Sequence, residues 1–350
     1  MTDWKGLLEW TLKYNDGTKP SEFKPLSEED RKFIEDAFES VTINEMKEIW
    51  KILDMIKERE KDDEKSIEER CNLLEALSDY IDGPENARNI IRGKRFNEII
   101  NYFFETKHKE VKIILGRILT QMMQNDGYIQ KEAMNLGLFK YLDNLNTETD
   151  KDLVTNYIYI LTGLIYGNET SVRNFFIKDL NGIPLLYNLL LKQRNIQKNF
   201  KRVLNILNDL TKIVDEQGNK DMYLSRKNAL SIIKSLHINT FLCEMLCDYS
   251  YDNDNSLDAI HLIFGLISNL AEIFDSFDDI SKTLKNMNDK IPQSQFLNDT
   301  QKKEEKKYLI DILKVCKENI KLSKKDFVES QSGETLTNGN KESTLINLKK

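Results

Sequence analysis

Apolar residues return along this chain at the spacing of a helix. Ile43, Met46, Ile49, Trp50, Leu53 and Ile56 stand three and four apart, on one face of a helix predicted over 42–60. Thr42 and Glu45 open it at capping-box spacing, and a shorter helix precedes it at 27–40. Long stripes of the same kind recur at Leu73–Ile81, Leu115–Met123, Tyr157–Ile165, Val203–Thr211 and Ile263–Ala271. Polar breaks follow the first four: Asp82-Gly83, Asn125-Asp126-Gly127, Gly167-Asn168 and Asp215-Glu216, at intervals of 43, 42 and 48 residues. After each of the first three breaks a second apolar helix is predicted, carrying an internal glycine at Gly93, Gly137 or Gly182.

A helical unit repeating every 40–47 residues or so cannot bury its apolar face alone; neighbours must stack, as in armadillo and HEAT solenoids. Gly182-Ile183-Pro184-Leu185-Leu186-Tyr187-Asn188-Leu189-Leu190 looks like an armadillo second helix, and Ile267-Ser268-Asn269-Leu270-Ala271 like the end of a third helix. The expected fold is therefore all-α: an armadillo-repeat right-handed solenoid of about five repeats over 66–284. N-terminal helices are expected at 27–65 and capping helices at 285–322. The cap carries one stripe, Leu309, Ile312, Leu313, Cys316 and Ile320. Residues 1–26 read as a flexible segment and 323–350, rich in Ser, Thr, Asn, Gly and Lys, as a disordered tail. The charged run Lys57–Lys65 reads as a solvated loop or helix end.

Composition narrows the function. At 31% charged and 40% hydrophobic the chain suits a soluble globular protein, and a net charge of −7 argues against a nucleic-acid surface. Four scattered cysteines (Cys71, Cys243, Cys247, Cys316) make no disulfide framework and point to a reducing compartment. The start lacks a secretory leader and no apolar run reaches ~18 residues, so the cytosol is expected, with the nucleus as the alternative and no membrane partner; a monomer is expected. There is no phosphate-binding Gly-Lys loop, no paired nucleophile and base, and no CxxC, so the expectation is a non-enzyme without cofactor or metal. Cys243 and Cys247, four apart near His237 and His261, read as core cysteines rather than zinc ligands, since cysteine is so often buried. His108 reads as a solvated residue at a loop-to-helix junction.

In such a solenoid the third helices line the concave face. The facing pairs expected there are Glu75/Asp79, Arg117/Gln121, Tyr159/Gly163, Asn205/Asp209 and Gly265/Asn269. Importin-like members carry Trp and Asn at these places to hold basic peptides. Here there is no Trp to pack a Lys stem, which weighs against nuclear import. Before the repeats stands an apolar cluster, Trp4, Leu7, Leu8, Trp10 and Leu12. It has two readings: extra core docked on the helices at 27–56, or an exposed peptide for a partner's groove.

The order of these parts resembles one family, the cytosolic armadillo-type nucleotide exchange factors of heat-shock protein 70. Leu7-Leu8-Glu9-Trp10-Thr11 is similar to the family's N-terminal Leu-Leu-x-Trp-Ser segment. Leu73-Leu74-Glu75-Ala76-Leu77 with Glu85-Asn86-Ala87 resembles its first repeat and the acidic-Asn-Ala turn that ends it. Gln124-Asn125 closes the second repeat as the family does, and Phe175-Phe176 with Leu180-Asn181-Gly182 resembles its Phe-Phe…Leu-Asn-Gly run. The longer loop Val214–Arg226, Glu85 in place of Asp, and the C-terminal tail depart from the pattern.

The resemblance implies a protein that embraces the second lobe of the chaperone's nucleotide-binding domain, opens it, and so releases ADP and then client. It implies partner contacts at Ala87 and Arg202, with Lys201 in place of Arg202 if the register slips by one. Leu7, Leu8, Trp10 and Leu12 become a client mimic. The broader alternative is an armadillo scaffold for some other protein.

Overall fold

The computed structural model describes residues 27–29, 32, 45–56, 58, 62–167, 169–212, 219–274 and 277–339, with side chains as far as residue 320. The segment Trp4–Leu12 and Thr42 lie outside the described residues. The described residues are helical throughout, with no strand among them. The chain divides into two compact units, Met1–Ile118 and Leu119–Lys350.

The first unit holds α1 (Glu45–Ile56), α2 (Glu64–Ile81), α3 (Pro84–Arg92), α4 (Phe96–Glu105) and most of α5 (Lys109–Met123). The α1 stripe packs inward as its spacing requires: Ile49, Ile52, Leu53 and Ile56 are buried. The charged run ends, as one of its two readings has it, at an exposed helix end. The Asp63 side chain accepts the Ser66 N–H and caps α2.

The second unit repeats a three-part motif. Its first copy is α6 (Gly127–Asn135), a 3₁₀ turn at Leu138–Tyr141 running into α7 (Leu142–Leu145), and α8 (Lys151–Ile165). Next come α9 (Thr170–Asn174) with a π turn at Phe175–Asp179, α10 (Gly182–Gln193) and α11 (Gln197–Thr211). The third copy is α12 (Lys220–Ser235), α13 (Ile238–Asp248) and α14 (Asp254–Asn269). After them α15 (Phe277–Lys290) and α16 (Asp299–Gly339) pack against α13 and α14. The expected tail at 323 instead continues α16 to Gly339. Adding residues to a helix already nucleated costs far less than starting one, and Lys, Glu and Gln tolerate it.

The long helices α2, α5, α8 and α11 end where the stripes predicted, at Ile81, Met123, Ile165 and Thr211, whereas α14 stops at Asn269, two residues before the expected Ala271, which opens a 3₁₀ turn. The three glycines do not lie inside second helices. Each marks the joint between a first and a second helix. Gly137 has φ +78°, and an added Cβ at Gly182 would come within 2.3 Å of the Phe176 ring. The joints share a backbone signature: one left-handed residue each, at Lys94, Gly137, Asn181 and His237. His237 is thus a joint residue, far from the role of a metal ligand.

Candidate functional site

A first set of polar residues is internal to the repeats. Gln130 of α6 is buried and donates its side-chain N–H to three carbonyls, Met123, Gly163 and Tyr166, at the ends of α5 and α8. Arg173 of α9 donates to the Gly167 and Asp209 carbonyls and pairs with the Asp209 carboxylate at 2.8 Å. Arg226 of α12 donates to the Thr211 and Asn269 carbonyls, at the ends of α11 and α14, and pairs with Glu272. One first-helix side chain per repeat therefore satisfies the orphan carbonyls that close two successive third helices. In the first unit Asn86 of α3 does similar work. Its amide donates to the Tyr80 carbonyl at the end of α2 and to the Glu45 carboxylate. These four residues stand 44, 43 and 53 apart in the sequence. Sequence reasoning missed the series because Asn, Gln and Arg share no obvious motif; the interval alone was the signal.

That series gives several of the expected partner-contact residues a role inside the repeats. Asn86 is engaged in capping its own unit. Ala87 is not a surface turn residue: it sits in the first turn of α3 at 2% exposure, among the buried residues Ile90 and Ile91 of the same helix. Gly83-Pro84 starts this helix, since Pro at the first helical position needs no N–H partner. Asp209 is also committed. Its side chain is 15% exposed and bound to Arg173, which is 3% exposed. Burial raises the Asp209 carboxyl above its ordinary value even though Arg173 and the Gly167 backbone pull the other way. Gly163 is buried because the helices approach closely there, a Cβ lying 3.2 Å from the Thr120 backbone.

Other expected contacts lie on the third helices with their side chains at the surface. Glu75 and Arg117 form an exposed ion pair within the first unit, with Asp79 exposed one turn beyond Glu75. Gln121 is half-buried on α5. In the second unit Asn205 is half-buried on α11, and Asn269 donates its amide to Asn208 at 3.4 Å, while Asn208 donates to the Leu262 carbonyl.

Tyr159 and Arg202 are brought together. The Arg202 guanidinium lies over the Tyr159 ring, 3.5 Å from its centroid, and the Lys198 ammonium is 5.1 Å from the same centroid. Both cations come from the opening of α11, and the ring from α8. Burial alone would raise the Tyr159 phenol, but hydrogen bonding and charge from Lys198 and Arg202 bring it below its ordinary value. The neighbouring cations are neutralised: Lys201 pairs with Asp258 at 2.9 Å and Arg194 with Asp248. Lys201 therefore bridges α11 to α14.

No metal chemistry gathers at this site or at the cysteines. Among the described residues no group of three or more His, Cys, Asp or Glu is placed to hold a metal ion. Cys243 and Cys316 are buried, and burial pushes their thiols up to about 11 and about 12. His261 is held by Glu305 at 3.0 Å and leans on Tyr308, which fastens α16 to α14. His108 faces Asp62 at 3.2 Å with its own side chain largely covered, so the expected solvated histidine is a packed one. Among the described residues no single helix is long and apolar enough to cross a membrane; the bent pair α12–α13 meets that measure only when its two helices are taken together.

Comparison with known proteins defines the fold. No protein-family model matches the chain, and no curated protein matches it. Among solved structures, a designed armadillo repeat protein matches 76% of this chain and 99% of its own, with TM-score 0.51 and 14% identity. A second designed armadillo repeat protein, in complex with peptide (KR)4, matches 77% of this chain and 99% of its own, with TM-score 0.52 and 13% identity. An engineered protein matches 78% and 97%, with TM-score 0.52 and 14% identity. The chain is an all-α armadillo-repeat solenoid. Identities this low speak to the fold alone.

Proposed function

We propose that this armadillo scaffold is a cytosolic nucleotide exchange factor of heat-shock protein 70, gripping the second lobe of the chaperone's nucleotide-binding domain. The observation that carries the reading is Arg202. The resemblance names that position as a partner contact, and here its guanidinium is stacked on Tyr159 with no carboxylate among the described residues to neutralise it. A cation held against an aromatic face has lost much of its freedom before binding, so docking a partner carboxylate costs less ordering. The mechanism is differential binding. The factor must prefer the open chaperone to the closed one, each tenfold preference being worth ~1.4 kcal/mol. ADP then leaves, ATP rebinds and client is released. Leu7, Leu8, Trp10 and Leu12 would compete for the client cleft in this scheme.

The second designed neighbour was captured with peptide (KR)4. The cations on α11 make such a basic ligand a poor fit at this part of the present chain. A scaffold for a different protein is the competing outcome. The test is release of fluorescent ADP from the nucleotide-binding domain of heat-shock protein 70. Acceleration at stoichiometric amounts is expected, and no acceleration at tenfold excess would leave only the general scaffold.

A further inference from the structure

The start of α11 breaks an electrostatic rule that the other long helices keep. A helix N-terminus carries partial positive charge and favours acids in its first turn. Helices α2, α5, α8 and α14 open with Glu64, Glu110, Asp152 and Asp254. Helix α11 opens Gln197-Lys198-Asn199-Phe200-Lys201-Arg202, with no acid in its first turn. In a chain of net charge −7, three cations there cost stability unless something repays it. Lys201 has its carboxylate in Asp258. Lys198 and Arg202 have no ion pair with any carboxylate among the described residues, and the Arg202 Nε is covered without a hydrogen-bond acceptor.

We infer that Lys198, Arg202 and Tyr159 form one carboxylate clamp, built to take an acidic segment of a partner protein. The two cations stand four apart on α11, one turn of the helix, so both overhang the same ring. The ring holds the guanidinium in place, and a guanidinium's five N–H donors exceed what one phenol oxygen can accept, which leaves donors for a carboxylate. Lys198 is exposed and adds a second charge one turn away, at the spacing of two acids on an extended or helical segment. The resemblance supplied Arg202 alone; Lys198 and Tyr159 enter from the geometry. The identity of the partner rests on the proposed function, while the chemistry of the partner does not.

The experiment uses the full chain with two probes. One is the nucleotide-binding domain of heat-shock protein 70. The other is fluorescein-labelled deca-glutamate at low ionic strength, which the overall negative charge of the chain should repel. Deca-glutamate is expected to bind, and Lys198→Glu and Arg202→Ala each to weaken it about tenfold or more, with a flatter salt dependence. Tyr159→Leu should act like Arg202→Ala, and Tyr159→Phe, which keeps the ring, should stay within about threefold of the parent. Lys198 is exposed, so its variant folds and keeps the test decisive if Tyr159→Leu does not. If nucleotide release is accelerated yet Lys198→Glu and a folded Tyr159→Leu both leave binding of the two probes unchanged, the clamp is overturned and the exchange function stands. If deca-glutamate binds through Lys198 but the chaperone is ignored, the clamp stands and the exchange function falls. Failure of deca-glutamate to bind at all overturns the clamp.

Discussion

The turn before α3 and the start of α11 teach opposite lessons. Both carry a residue that the family resemblance names as a partner contact. Ala87 turns out to be packing, sealed beneath its own helix, with Asn86 beside it tying down the end of α2. Arg202 lies over a tyrosine ring and has no ion pair with a carboxylate among the described residues. The difference lies in what each local structure already satisfies. A small apolar residue at 2% exposure offers a partner little, whereas a guanidinium with no carboxylate partner among the described residues still has charge to offer.

Ala87→Arg should break the comparison hardest. A long cation cannot enter that core without burying its charge, at ~3–5 kcal/mol. Thermal melting should show the first unit lost or weakened, so any fall in chaperone binding reports unfolding. A melt unchanged from the parent would restore Ala87 as a surface contact.

Arg226→Met should come next, at ~3 kcal/mol, because the Thr211 and Asn269 carbonyls and the Glu272 carboxylate lose their donor together. Urea unfolding measures it; a shift under ~1 kcal/mol would mean water replaces the guanidinium freely. Gly182→Ala should cost ~1–3 kcal/mol, since the new Cβ collides with the Phe176 ring.

Lys201→Ala sharpens the other side. Its pair with Asp258 is partly exposed, so stability should fall by less than ~1 kcal/mol and nucleotide release should be unchanged. Impaired release in this variant, with Arg202→Ala normal, would move the register by one.

The smallest effect is kinetic. With a thiol-reactive dye at pH 8 the native chain should label Cys247 first, while Cys243 and Cys316 wait for denaturant. Their thiols are pushed up to about 11 and about 12 by burial, so the reactive thiolate is scarce at that pH and gains only as pH rises. Equal native rates for Cys243 and Cys247 would contradict that burial.

The ends of the long helices were legible in the sequence because a stripe of Ile and Leu such as Val203–Thr211 stops abruptly at a polar break. The joints were harder. Gly93, Gly137 and Gly182 carry the right period but read as helix interior, since the left-handed residue of the joint is a different type each time: Lys94, Gly137 itself, Asn181 and, where no glycine stands, His237. The site was half legible. Tyr159 and Arg202 were each marked for the third-helix face, but 43 residues separate them, and only folding shows the stack. Lys198 gave no sign, because one lysine among many on a charged chain is unremarkable until its neighbours are seen to be paired.

The carbonyl-capping side chains also say how this chain can change length. Between Arg173 and Arg226 the interval is 53 rather than 43 or 44, yet Arg226 still reaches the end of α11. Extra residues inserted after a third helix are absorbed outside the lock, because the latch is a side chain reaching back rather than the connecting backbone. Insertions or deletions at those loops should therefore pass as silent variation. The same change one turn inside α6, α9 or α12 would rotate the latch away from two helix ends at once, so that one slip unfastens neighbouring repeats together.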